Sequence, residues 1–199
     1  MTAGDGRIVV RTERLLLRNW QEGDRDLFFE INADPEVMAF FPFRRSRAEA
    51  DALFDRLRAT IGSTGLGFFA LASAETDEPF GFCGLARTDL APVLPDGTVE
   101  IGWRLARRHW GKGYVSEAAA ALVDLGFERH KLPEIVSFAV AANHRSTAVM
   151  RRIGMEPDPA RDFEHPRVPE THPHLKRHVL YAIPRNRWNM RNSQPASGT

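Results

Sequence analysis

Between Thr98 and Ala141 the chain runs an apolar strand, a basic glycine turn, an alanine-rich helix and a second strand. The strands read as Thr98 to Ala106 and Glu134 to Ala141, and the helix as Tyr114 to His130, with Pro133 separating it from the second strand. A crossover of this length joins parallel neighbours, so the two strands must lie side by side. Val115, Ala118, Ala119, Leu122, Leu125 and Gly126 share one helix face suited to packing on a sheet, and the small residues among them permit close approach.

The turn itself, Arg107-Arg108-His109-Trp110-Gly111-Lys112-Gly113, has the makings of an anion cradle. Gly111 and Gly113 can take positive φ and let the backbone approach a ligand. From Tyr114 onward a helix begins whose first N–H groups lack partners and whose dipole presents its positive end, both suited to a pyrophosphate. Lys112, with Arg107 or Arg108, adds formal charge beside them. Two phosphate motifs are excluded on residues: Lys112 and Tyr114 break any Gly-x-x-x-x-Gly-Lys-Ser/Thr, and no third glycine completes a Gly-x-Gly-x-x-Gly. The pattern points to a phosphorylated cofactor and weakens the nucleoside-triphosphate and dinucleotide readings.

Elsewhere, Ile8 to Arg18 is β-rich, and Asp24 is placed to cap a helix reaching Ile31 or Asn32. Ser46 and Glu49 have the capping-box spacing ahead of Ala50, Leu53, Phe54, Leu57 and Ile61, a helix that Gly62 and Gly65 should stop. Leu66 to Ser73 and Pro79 to Thr88 read as a hairpin. A short helix from Arg145 to Arg152 ends near Gly154, Phe163 and Arg177 to Ile183 supply two final antiparallel strands, and Arg185 to Thr199 reads as a frayed tail. The 199 residues suit one domain. A net charge of +1 argues against nucleic-acid or membrane partners held by electrostatics. One cysteine, Cys83, no leader-like N-terminus and no long apolar run point to a cytoplasmic protein.

Six ordered segments resemble the GNAT superfamily of acyl-CoA-dependent N-acetyltransferases, in particular the branch of the ribosomal-protein-alanine acetyltransferases. They are Thr12 to Arg18, Asp34 to Met38, Gly81 to Leu85, Glu100 to Trp103, Trp110 to Ala118, and Asn143 to Ser146 with Arg151 to Met155. The resemblance implies an α/β (α+β) fold: a single GNAT domain over residues 7–188, with 189–199 a flexible tail. Its mixed, mostly antiparallel sheet would have about seven strands, the parallel fourth and fifth splayed apart, and about four flanking helices. It also implies acetyl-CoA as cosubstrate, a primary amine as acceptor, in this branch the N-terminus of a protein, and a homodimer. The superfamily loop pattern fits Arg108, Gly111 and Gly113 literally; the branch's Trp-Gly-x-Gly-Tyr favours a register on Trp110, Gly113 and Val115. In that register the cofactor contacts are mainly backbone N–H groups of Trp110, Gly111, Lys112, Gly113, Tyr114, Val115 and Ser116.

Acetyl transfer from a thioester to an amine needs a base, donors for the developing oxyanion and an exit for the thiolate. Glu100, where relatives often carry a carboxylate, is the candidate base; the alternative is that it orders loops through hydrogen bonds or a salt bridge. Ser146 stands where the branch implies a hydroxyl near the sulfur, or else caps the short helix, for which Asn143 is equally suited. Asn143 is otherwise expected on the pantetheine arm or substrate amide. Trp103 and Leu105 are expected to offer main-chain groups to that arm from a splayed sheet edge. Met150 replaces a tyrosine that many relatives use as acid, which leaves a non-catalytic acyl-CoA-binding module as the alternative function, alongside transfer to a small-molecule amine. Phe40, Phe41 and Phe43 read as core or dimer packing ahead of an acceptor wall. His165, His172, His174 and His178 are too irregularly spaced for a metal site, although His165 or His174 could border the acceptor, and Cys83 reads as a buried structural thiol.

Overall fold

The computed structural model describes the backbone of residues 6–192 and the side chains of 6–190. Nine strands form one sheet: β1 (Ile8–Arg11), β2 (Leu15–Arg18), β3 (Gly67–Ser73), β4 (Pro79–Arg87), β5 (Val99–Leu105), β6 (Glu134–Val140), β7 (Glu156–Pro157), β8 (Phe163–Glu164) and β9 (Arg177–Pro184). The spatial order is β1-β2-β3-β4-β5-β6-β9-β7, with β8 also on β9. Every pairing is antiparallel except β5 with β6. The helices are α1 (Arg25–Ala33), α2 (Arg47–Thr64), α3 (Tyr114–Glu128), α4 (His144–Arg152) and α5 (Arg185–Asn192). The β-rich stretch from Ile8 to Arg18 is two strands, because the Thr12 amide donates to the Leu15 carbonyl (2.9 Å) and turns the chain back. The strands expected as fourth and fifth are therefore β5 and β6.

Each element follows from local chemistry. In α2 the Ser46 amide donates to Glu49 Oε2 (2.8 Å) while the Glu49 amide donates to Ser46 Oγ (3.4 Å), the reciprocal cap anticipated from spacing. Gly62 does not stop this helix. It lies inside it, and the end comes at Gly65, whose φ of 71° gives the left-handed C-terminal geometry. Phe28 of α1 and Phe54 of α2 meet Trp20 with ring centroids 5.0 and 5.6 Å away, so both helices are pinned to one face of the sheet. Ala118, Ala119, Leu122, Val123, Gly126 and Phe127 bury the inner side of α3.

Two expectations fail for tertiary reasons. Asp24 makes no side-chain cap for α1; its carboxylate receives the buried Arg18 guanidinium (2.7 and 3.1 Å) and the Gln21 amide (2.8 Å). The tail does not fray at Arg185. Helix α5 docks there, Trp188 Nε1 donating to Asp124 Oδ1 (2.7 Å) with its ring 5.3 Å from Phe127, and Arg185 donating to the Phe127 carbonyl (2.9 Å). Residues 193–199 of the expected tail lie outside the described residues. Among the described residues no helix is long and apolar enough to cross a membrane.

Arg18 is 1% exposed and also binds Asp77 Oδ1 (2.6 Å), so removing Asp24 takes away its buried partner and leaves only the more exposed carboxylate. Asp24→Ala is expected to lower unfolding stability by about 3–5 kcal/mol in urea denaturation; a loss below about 1 kcal/mol would show that the pair is solvated.

Candidate active site

The parallel pair β5 and β6 shares a single registered position, Glu100 with Val136. The Ala106 amide bonds the Phe80 carbonyl on β4 (3.0 Å), whereas the Ile101 carbonyl accepts from Ser137 Oγ on β6 (2.9 Å). Main-chain groups alternate direction along a strand, so the even-numbered residues of β5 face β4 and the odd-numbered ones face β6. Past the registered pair, Trp103 and Leu105 thus aim their main-chain groups into a gap between the strands. The Leu105 carbonyl there accepts from Trp110 Nε1 (2.9 Å). Trp103 is left facing an open slot.

At the outlet of β5 the two glycines of the turn adopt the positive φ expected of them. Gly111 and Gly113 have φ of 75° and 80°, and a Cβ on Gly111 would meet nothing within 4 Å. The Trp110 amide is spent on the Arg107 carbonyl (3.0 Å), and the Glu117 amide closes the first helical turn on Gly113 (3.1 Å). Among the described residues, the amides from Gly111 through Ser116 have no hydrogen-bond acceptor. The unfilled donor set therefore starts at Gly111, one residue after the expected Trp110.

The charge around the cradle differs from expectation. Arg107 pairs with Asp34 (3.1 Å) and Glu36, and Arg108 with Glu30, so the carboxylates of α1 and the turn after it occupy both arginines. Lys112 is exposed, and its ammonium has no ion pair among the described residues. Two cations come instead from α4: Arg145 lies over the Trp110 ring (4.6 Å) and Arg152 donates to Ser116 Oγ (3.0 Å). Their spacing of seven places them on one helix face, a signal present in the sequence. A third arrives from the β1–β2 turn, where Arg14 donates to Glu117 Oε2 (2.7 Å) and to the Lys112 carbonyl (3.1 Å). Burial would raise the Glu117 pKa, but hydrogen bonds from Thr12, the Arg14 amide and the Arg14 guanidinium outweigh it and hold the carboxyl below its usual range. That pairing offsets the acid at the helix mouth. Tyr114 stacks on Phe80 (4.8 Å), and Val115 packs against the core, so these side chains anchor the turn.

Glu100 is partly exposed on β5, and its carboxyl makes no hydrogen bond or ion pair among the described residues. Burial, and then the charge of Asp89, push its pKa up to about 7. The loop-ordering role weighed from sequence therefore has no bond to support it. In α4, Asn143 Oδ1 accepts from the Ser146 amide (3.2 Å), which makes Asn143 the cap and decides between the two candidates for that role. Asn143 Oδ1 is thereby occupied, and the Ser146 hydroxyl has no partner among the described residues. Met150 is buried. Cys83 is fully buried, its thiol pushed well up by burial.

Phe41 and Phe43 are 40% and 45% exposed, so they are not core, while Phe40 packs beside Val140, Val168 and Leu175. Among the described residues no three His, Cys, Asp or Glu side chains converge to hold a metal ion. His178 instead stacks on Phe163 (5.6 Å), with His165 and Phe138 packed around the pair at a tilt or edge-on; burial, and after it His178 and Arg167, lower the His165 pKa to about 4. A cleft at the β1 edge, lined by Arg7, Ile61, Gly65 and His130, holds none of the groups described above.

Two stability measurements follow from this geometry. Asn143→Ala is expected to cost about 1 kcal/mol through loss of the cap, and Ser146→Ala almost nothing; the reverse order in chemical denaturation would return the cap to Ser146. The folded state favours protonated Glu100, held at about 7 against an ordinary 4.5, so its contribution is complete below about pH 4.5 and lost as pH rises through 7. Glu100→Gln stays neutral and is expected to melt with the wild type at pH 4 and above it at pH 8, whereas equal melting at both would show a solvated carboxyl.

The Acetyltransferase (GNAT) domain family matches residues 14–156. The chain is 31% identical over 157 residues to a protein named Uncharacterized N-acetyltransferase p20 from Bacillus licheniformis, covering 77% of this chain and 85% of that protein. A crystal structure of an acetyltransferase from Agrobacterium tumefaciens superposes with a TM-score of 0.69 at 31% identity, over 87% of this chain and 92% of that one. The spermidine N-acetyltransferase of Vibrio cholerae, solved with CoA and spermine, shares the fold at a TM-score of 0.69 and 16% identity, over 89% and 99% of the chains. The chain belongs to the GNAT acetyltransferase family and is an acetyl-CoA-dependent N-acetyltransferase.

Proposed function

We propose that the protein acetylates an α-amine, with the cofactor diphosphate held by the amides of Gly111 to Ser116 and the amine handled by Glu100. The unpaired row of amides carries the first part of this reading. It offers several donors to one anion, the two left-handed glycines keep side chains out of the way, and Lys112, Arg145 and Arg152 supply charge. The cradle therefore fits a diphosphate. The open edge at Trp103 and Leu105 fits the amide-rich pantetheine arm, which can pair with a strand edge. Acetyl-CoA, when bound, supplies an acetyl thioester.

The chain's own residues then have distinct tasks. Glu100, ionised above about pH 7, takes the proton from the ammonium group so that a lone pair is available for attack. An α-amine, with a pKa of about 8, suits such a base better than a lysine at about 10.4. The Trp103 main chain, facing the gap, is positioned to donate to the carbonyl oxygen as charge develops on it. The Ser146 hydroxyl, without a partner among the described residues because Asn143 does the capping, donates a hydrogen bond to the departing thiolate, which takes its proton from water as the attacking nitrogen releases one. With Met150 in place of a phenol, and a thiol pKa near 8.5, that donor contributes modestly. The α-amine of a protein N-terminus is the acceptor that the family branch implies; a free small amine satisfies the same chemistry.

Calorimetry with acetyl-CoA, paired with thiol release over a panel of N-terminal peptides and small amines, tests this reading. Tight binding with amine-dependent release is expected; binding without release would leave a non-catalytic module. In the wild type kcat/KM should climb with pH to a plateau above about 7, and Glu100→Gln should lose both that limb and roughly a hundredfold in rate. An unchanged profile would remove Glu100 as base. Ser146→Ala should slow turnover with little change in acetyl-CoA affinity, and wild-type kcat would take the hydroxyl out of the mechanism.

A further inference from the structure

Arg104 is treated unlike its neighbours. Arg107, Arg108 and the buried Arg18 each meet carboxylates, whereas the partly exposed Arg104 has none within ion-pairing distance among the described residues. Its Nη1 donates to Asn32 Oδ1 (2.6 Å), and its guanidinium lies over Phe41 (4.4 Å) and beside Phe82 (5.3 Å). Asn32 is fully buried and braced by its own bond to the Phe28 carbonyl (2.7 Å), so the guanidinium is aimed by a rigid partner. The Nε and Nη2 edge, the one that grips a carboxylate in two-point fashion, has no protein acceptor among the described residues.

A second cation stands near. The Arg45 amide donates to the Asn32 carbonyl (3.0 Å), its guanidinium lies over Phe43 (4.8 Å), and it too has no ion pair among the described residues. Burial, with the charge of Arg45 behind it, pulls the Arg104 pKa down to about 9, the direction expected where negative charge is missing. Exposed Phe41 and Phe43, 6.0 Å apart, wall this place with apolar surface.

Position ties it to the chemistry. Glu100, Gly102 and Arg104 alternate onto the same face of β5, the first and last about 13 Å apart along the strand. Between them Gly102 has no side chain, and a Cβ there would meet the Phe68 ring at 3.0 Å. One strand face thus presents an unpaired carboxyl, a bare stretch and an unpaired guanidinium.

We propose that Arg104, backed by Arg45 and walled by Phe41 and Phe43, receives a carboxylate of the acceptor, so that the substrate is an amine bearing both a carboxylate and an apolar part. The proposal deepens the acetyl-transfer reading and rests on it. Two cations with no ion pair among the described residues, Arg45 feeling only the more distant charge of Glu49, disfavour a polyamine and attract an anionic group, and the rings accommodate the apolar part. The carboxylate can belong to a free amino acid or to an acidic residue near a peptide N-terminus.

Matched acceptors decide the matter: phenylalanine against phenethylamine, methionine against 3-(methylthio)propylamine, and a Glu-initiated peptide amide against its Gln-initiated twin. In thiol-release assays the wild type should prefer the carboxylated member of at least one pair by roughly 10- to 100-fold in kcat/KM. The first two pairs report the free amino acid and the third the peptide. Arg104→Gln should abolish the preference mainly through KM, Arg104→Lys should restore part of it, and acetyl-CoA affinity should be unchanged in both. Indifference of the wild type to the carboxylate in all three pairs overturns the proposal without any variant, and so does an equal loss on both members in Arg104→Gln. Turnover of the amines that lack a carboxylate in either case leaves acetyl transfer standing. Failure of every amine in the panel to trigger release, despite bound acetyl-CoA, would sink both readings.

Discussion

The interrupted ladder between β5 and β6 is the constraint on which the remaining structure depends. Two seven-residue parallel strands share one registered pair, and beyond it the main chain of β5 faces space. The structure satisfies two of the carbonyls so exposed with side chains, Ser137 Oγ on Ile101 and Trp110 Nε1 on Leu105. Between them Trp103 is left open. Backbone polar groups are costly to leave unmade in a protein interior. A slot of this kind is stable because it borders solvent or an amide-bearing ligand that pairs in place of the missing strand.

The same divergence places the cradle. Helix α3 starts where β5 ends, so the amides of Gly111 to Ser116 open at the outlet of the slot, and α4, leaving β6 on the other side, brings Arg145 and Arg152 to its rim. In the proposed reading a ligand with a diphosphate at one end and an extended amide chain at the other spans both. Electrostatics sort the remaining groups. Carboxylates that would oppose an anion are paired, as Glu117 is with Arg14, and arginines with no such task are neutralised, as Arg107 and Arg108 are on Asp34, Glu36 and Glu30. Glu100 and Arg104, neither of which has an ion pair among the described residues, share one face of β5.

Much of this was legible in the residues because the codes are short. Ser46 and Glu49 lie three apart, Gly111 and Gly113 declare positive φ, and the apolar stripe of α3 repeats within two turns, so the cap, the cradle and the helix face could be read directly. The crossover length dictated that β5 and β6 are parallel. Misreadings cluster where two codes compete. Gly62 looked like a stop, but packing of Phe54 and Ile61 carries α2 past it to Gly65. Asp24 looked like a cap, but Arg18 takes its carboxylate. Ser146 and Asn143 were equally eligible, and only the geometry of the β6 exit chose Asn143.

The sequence by itself determined the order of elements, the parallel crossover, the glycine turn and the family to which the chain belongs, since each is written within a few residues or in ordered segments. Tertiary structure alone decided which charges are spent. The partners Arg14 and Glu117, Arg107 and Asp34, Arg108 and Glu30, and Arg104 and Asn32 are separated by roughly 70 to 100 residues along the chain. An ion pair or an unpaired guanidinium is set by distances of a few ångströms after folding, and no local pattern encodes that proximity.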